Sequence, residues 1–110
     1  MYVENVKSQM RKGMLEYCIM LLLAKKPCYS SDIIDELERA NLIVVEGTLY
    51  PLLSRLKKEG VLDYEWQESP AGPPRKYYRL TDEGMQLLAA LEDSWVQLSG
   101  TIAGIKNLEV

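Results

Sequence analysis

The sequence predicts a mainly α fold with one small β-hairpin, closed by a helix that carries an apolar stripe. Three observations predict it. Apolar residues recur at three- and four-residue steps as far as Leu56. Between Leu62 and Leu80 the period drops to two around a proline-rich interruption, and from Leu88 onward a heptad-like spacing takes over. In 110 residues this amounts to one small domain, residues 1–81, with one appended element, residues 82–110.

The first helix spans Val6 to Ala24. Met10, Met14, Leu15, Cys18, Ile19, Leu22 and Leu23 give it a stripe wide enough to be buried on two sides. Lys25-Lys26-Pro27 ends it, because cations suit a helix C-terminus and proline cannot continue the hydrogen-bond ladder. After a loop holding Cys28, Ser30 or Ser31 caps a second helix, with Asp32 in its first turn and Ile33, Ile34, Leu37 and Ala40 on its apolar face. Asn41 closes that helix. The third runs from about Glu46 to Glu59, where Gly60 supplies the stop. Leu49, Leu52, Leu53 and Leu56 form its buried stripe. Gly47, Pro51, Ser54 and Lys58 lie roughly opposite, flanked by Thr48, Tyr50 and Arg55. Pro51 is tolerable near a helix start, which fixes this end of the helix close by.

Leu62, Tyr64 and Trp66 share one face of the next segment, with Asp63 and Glu65 on the other; Trp66 and Tyr78 read as core rather than as base-stacking platforms. Three prolines and Gly72 between Gln67 and Pro74 exclude regular structure there. The hairpin therefore has a long tip, and its return strand is Arg75 to Leu80. Thr81 caps the last helix, with Asp82 and Glu83 in the first turn. Along it Leu88, Leu91, Trp95, Leu98, Ile102 and Ile105 form an a/d seam, short for a free coiled coil but suited to a partner helix. Each of these side chains forgoes about 1.5–3 kcal/mol if left in water, so a homodimer through this seam is expected.

Composition excludes several classes. The longest apolar stretch, Cys18 to Ala24, is far short of a bilayer span, and no cationic-then-apolar leader is visible, so the cytoplasm is the expected address. There is no histidine, and the two cysteines are ten residues apart, so neither a metal site nor another cofactor is expected. Cys18 reads as packing, and Cys28 as an inert thiol or a redox sensor. No carboxylate on the last helix has a partner base, so no enzyme site is read. The net charge of −3 disfavours indiscriminate nucleic-acid binding, but the charges are segregated. Arg55, Lys57, Lys58, Arg75, Lys76 and Arg79 are followed by Asp82, Glu83, Glu92 and Asp93 with no base among them.

Three helices and a hairpin, in this order, are the elements of a winged helix-turn-helix domain, here with a C-terminal dimerisation helix appended. In helix-turn-helix proteins the second helix of the motif enters the major groove, a place that falls to Glu46–Glu59. Thr48, Tyr50, Ser54, Arg55 and Lys58 offer hydroxyls and cations suited to phosphates and base edges, or simply a solvated face. Arg75, Lys76 and Arg79 either keep an edge strand soluble or reach along a DNA backbone.

Two stretches carry a more specific likeness. Gly47-Thr48-Leu49-Tyr50-Pro51-Leu52-Leu53-Ser54-Arg55-Leu56 is followed by Glu59-Gly60-Val61-Leu62, and Pro74-Arg75-Lys76-Tyr77-Tyr78-Arg79-Leu80-Thr81 is followed by Gly84. Together they resemble the signature of the PadR family of transcriptional repressors, from about Met10 to about Ile105. The sequence departs from many relatives at Cys28-Tyr29-Ser30-Ser31, and its single last helix is similar to the family's compact subgroup. The resemblance implies a homodimer on double-stranded DNA, bound at a near-palindromic operator with Arg75 and Lys76 on the backbone. It further implies release by a stress signal or by a planar aromatic or apolar small molecule. Multidrug-responsive members of the subgroup stack ligands on a tryptophan at what looks like the place of Trp95. By that likeness Trp95, Leu91, Leu98, Met14 and Met10 line an effector site; a tryptophan that merely fills the dimer core is the alternative. The competing function is a winged-helix protein–protein interaction module without specific DNA binding.

Overall fold

A computed structural model describes residues 1–110. The elements are α1 (Tyr2–Lys25), β1 (Cys28–Tyr29), α2 (Ser30–Arg39), α3 (Glu46–Lys58), β2 (Leu62–Ser69), β3 (Gly72–Leu80) and α4 (Asp82–Lys106). The strands form one antiparallel sheet in the order β1-β3-β2, with Cys28 opposite Tyr78 and Tyr29 opposite Tyr77. The hairpin thus has a third strand, which two residues are too few to reveal through periodicity.

Local rules fix the helix-turn-helix. Each helix of the pair ends on a residue in the left-handed region, Asn41 (φ 65°) after α2 and Gly60 (φ 78°) after α3. Both ends make the same pair of bonds. Asn41 N–H donates to the Glu38 carbonyl and Leu42 N–H to that of Leu37; Gly60 N–H donates to Lys57 and Val61 N–H to Leu56. The start of α2 differs from the expected serine cap. Tyr29 is the N-cap, and its backbone N–H donates to the Asp32 carboxylate at 3.0 Å. Pro51 lies one turn inside α3, close to its start as expected, and the Gly47 carbonyl therefore lacks a helical donor on the solvent side.

The hairpin tip is short. β2 and β3 pair out to Ser69 opposite Gly72, leaving Pro70 and Ala71 as the turn. Between the Gln67–Arg75 and Ser69–Gly72 pairs, Glu68 alone faces Pro73 and Pro74. The two prolines, which lack the N–H a ladder needs, occupy a bulge instead of abolishing the strand.

The core gathers Leu15, Ile19, Met20 and Leu23 of α1, Ile33 and Leu37 of α2, and Leu49, Leu53 and Leu56 of α3, with Cys28, Val61, Leu62, Tyr78 and Leu88. Cys28 is therefore not in a loop. Its thiol is buried in a strand, and burial pushes its pKa up, so it is a poor candidate for a redox nucleophile. Trp66 is the opposite case: it lies on the core-facing side of β2 but beyond the end of the core, and it is 62% exposed.

The end of α3, the base of the wing and the start of α4 meet at one knot. The Thr81 hydroxyl accepts from Gly84 N–H at 3.0 Å and donates to the Gly60 carbonyl at 2.6 Å, while Thr81 N–H reaches the Val61 carbonyl at 3.1 Å. Gly84 lies so close that an added Cβ would sit 2.0 Å from the Val61 oxygen. Alanine gains roughly 1 kcal/mol over glycine in a free helix. Backbone oxygen cannot step aside, so Gly84→Ala should instead destabilise by about 1–3 kcal/mol or more, read as a lowered denaturation midpoint.

The two long helices extend past this core. The protomer measures 63 × 35 × 23 Å, and its radius of gyration of 16.4 Å exceeds the roughly 13 Å of a compact chain of about this size. Tyr2–Gly13 of α1 is exposed throughout, and beyond Leu91 α4 is exposed apart from a half-covered Ser99.

Candidate nucleic-acid interface

The α3 stripe points inward as expected, with Leu49, Leu53 and Leu56 buried, which turns Thr48, Tyr50, Ser54, Arg55 and Lys58 to the outside. They face different neighbours. Thr48 and Arg55 border a groove of about 580 Å³ against α1, walled by Leu15, Leu42, Val44 and Leu52 and edged by Arg11 and Lys12. Tyr50 turns toward the wing, where its hydroxyl meets that of Ser30 at 3.1 Å. Arg55 is ion-paired with Glu16 of α1, so it is the one predicted cation on α3 already engaged within the protomer.

Side-chain stacking stiffens the wing. The Arg75 guanidinium lies 3.9 Å over the Tyr29 ring, whose hydroxyl donates to Gln67 Oε1 at 2.5 Å. The Lys76 ammonium sits 4.6 Å from the Tyr64 ring and 5.4 Å from that of Trp66. Asp63 links wing to helix, with Lys57 Nζ at 3.6 Å and Arg79 at 3.5 Å. The Tyr64 backbone N–H holds the Asp63 carboxyl below its ordinary pKa; burial opposes it, and Lys57 and Arg79 add smaller lowering effects. A depressed carboxylate contributes stability above its unfolded pKa and loses it as pH falls through the folded value. The Asp63 clasp should therefore hold throughout neutral pH. Of the six basic residues in this region, Arg55, Lys57 and Arg79 have acidic partners; Lys58, Arg75 and Lys76 do not.

The residues expected to line an effector site come together only in part. Met14, Leu91, Trp95 and Leu98 border a recess between α1 and α4 with Gly13, Glu16, Tyr17 and Ser94. Met10 does not: it stands one turn further out, 69% exposed. The recess holds about 120 Å³, well below the ~300–1,000 Å³ of drug-sized sites. Along the seam, Leu88 is buried in the protomer's own core, which leaves it no surface for a partner. Leu91 is half-covered, while Trp95, Leu98, Ile102 and Ile105 are exposed.

Tyr29, Ser30 and Trp66 border the recess between α3 and the wing together with Tyr50, Arg75 and Lys76, a grouping that the sequence does not signal. The serines signalled only a helix start, and the alternation that put Trp66 on the core-facing side gave no hint of where the core ends.

The transcriptional regulator PadR-like family matches residues 19–90, a stretch that includes α2, α3, the wing and the first third of α4. The chain belongs to the PadR-like family. Three solved structures agree over nearly the whole chain. A PadR-like transcription factor from Bacteroides fragilis is 66% identical with a TM-score of 0.80, covering 92% of this chain and 98% of its own. A PadR family transcriptional regulator from Eggerthella lenta is 32% identical with a TM-score of 0.86, covering 98% and 95%. A PadR-like transcriptional regulator from Bacillus cereus is 34% identical with a TM-score of 0.79, covering 92% and 99%. The protein is thus a transcriptional regulator rather than an enzyme, with a winged helix-turn-helix of the DNA-binding kind and a single C-terminal helix, as in the compact members of the PadR-like family. No helix is long and apolar enough to cross a membrane.

Proposed function

We propose that this PadR-like regulator is a repressor that grips a near-palindromic operator as a homodimer and releases it when an effector or stress signal alters the dimer. The observation that carries this reading is the division of the protomer's surface. Lys58, Arg75 and Lys76 carry uncompensated charge on the α3–wing side, while Trp95, Leu98, Ile102 and Ile105 leave an uncovered apolar seam on α4. Thr48, Tyr50, Ser54 and Lys58 meet base edges and phosphates, Arg75 and Lys76 meet the backbone, and Arg55 joins them once it leaves Glu16. The place of action is the cytoplasm, where such an operator would lie. Gel retardation of promoter fragments against excess competitor DNA tests the reading. Fragments retained through the competition support it; displacement of every fragment alike would leave only the protein-interaction alternative.

The effector seat is the Trp95 recess, completed by a second copy, since one protomer supplies too little volume. A planar aromatic or apolar compound would stack on Trp95 between Leu91, Leu98 and Met14, and affects DNA only by favouring one spacing of the two α3 helices. Glu16 lines the same recess and pairs with Arg55, so a ligand there also touches the charge balance of α3. Titration with planar dyes should give saturable tryptophan quenching that disappears in Trp95→Ala, with Trp66 as the constant background. Quenching that persists without Trp95 contradicts this seat but not repression.

A further inference from the structure

Trp66 is an indole with too little to do in the free protomer. It is 62% exposed, and its aromatic neighbour is one edge-on ring, Tyr64, at 5.9 Å. It borders a recess of about 360 Å³ between the wing and the start of α3, shared with Ser30, Tyr50, Arg75 and Lys76 and floored by the buried Tyr78. Two cations and the hydroxyls of Ser30 and Tyr50 border there a flat apolar ring, and Glu46 is the single acid on the wall.

From this arrangement we infer that the recess seats one phosphodiester of the DNA backbone, with Arg75 and Lys76 on the phosphate and the Trp66 ring packed on the adjoining deoxyribose. The inference rests on the DNA-binding reading above and adds a contact to it. With α3 in the major groove and the wing beside it, the strand between the two is sugar-phosphate backbone, and the recess lies in that gap. A sugar presents an apolar face next to an anion, which is the combination that the ring and the paired cations offer. Glu46 opposes the anion, so the seat is net positive by one charge and depends on both cations. Because the contact is to backbone, it contributes to affinity for any duplex and not to sequence choice.

The test uses the full-length Trp95→Phe variant, in which Trp66 is the only indole, and a fluorescently labelled mixed-sequence DNA duplex at low salt. Anisotropy of the label reports binding, and acrylamide quenching reports access to Trp66. Quenching should fall as the duplex saturates, and inorganic phosphate alone should not protect the ring. In the parent chain, Trp66→Ala should weaken mixed-sequence binding roughly tenfold, near the low end for an aromatic contact to nucleic acid. Trp66→Phe should restore most of that loss. Lys76→Ala should lower the salt dependence by about one ion per protomer, about two per dimer, which Trp66→Ala should not do. Glu46→Gln should tighten binding. If anisotropy rises while Trp66 stays as open to acrylamide as before, or Trp66→Ala binds like the parent, the seat is wrong and DNA binding stands. Absence of any anisotropy change with the parent chain overturns both.

Discussion

Leu98→Glu is expected to turn the regulator from a dimer into a monomer that is also less stable. Leu98 sits mid-seam, half-exposed on a helix whose remaining outward apolar residues, Trp95, Ile102 and Ile105, are likewise uncovered. Burying a leucine is worth about 1.5–3 kcal/mol, and a twofold interface loses it twice. Truncating that contact alone therefore raises the dimer dissociation constant by roughly two to four decades. Each new carboxylate would then be buried in the interface without a partner, which adds to the loss. Sedimentation velocity at micromolar concentration should give a species of twice 12.6 kDa for the parent and 12.6 kDa for the variant. Leu98→Met, which keeps the volume, should remain dimeric. A parent chain that sediments as a folded monomer would contradict the dimer.

The second large effect is ionic. Two protomers each bring Lys58, Arg75 and Lys76, cations with no acidic partner of their own, and Arg55 becomes available when Glu16 lets it go. If the dimer contacts about 6–10 phosphates, operator affinity should fall by roughly three to five decades between 50 and 200 mM salt. The Glu16–Arg55 pair is surface-exposed and worth at most about 1 kcal/mol, so it does not prevent that recruitment. Arg75→Ala should weaken operator and random DNA equally, as a backbone contact does. Tyr50→Ala should erode discrimination more. Unchanged binding by both variants would mean that α3 and the wing are not the DNA face.

Much of this architecture was legible in the sequence because it is locally determined. Asn41 and Gly60 stop their helices through backbone conformations that few other residues adopt, and Thr81 caps α4 through its own hydroxyl. The apolar stripe of α4 was legible because its three- and four-residue spacing runs over eighteen residues, from Leu88 to Ile105. What failed depended on the third dimension. β1 is two residues long and exists only because Tyr77 and Tyr78 lie beside it. The prolines at the hairpin tip signalled irregular structure, since nothing local says that a bulge will absorb them. Periodicity placed Leu62, Tyr64 and Trp66 on one face correctly, but burial declines along that face as β2 leaves the core, ending with Trp66 in the open. Leu88 belonged to the seam by spacing and to the protomer's own core by position, and Arg55 faced outward by helix angle yet found Glu16 on α1.

Selection of tightly bound duplexes from a random-sequence pool tests the central claim most directly, because it asks for DNA recognition and twofold symmetry at once. A homodimer presenting two α3 helices should enrich an inverted repeat whose half-site centres lie about 10–10.5 base pairs apart, or a multiple of that. Failure to enrich any sequence, or enrichment of a single half-site without symmetry, would contradict it.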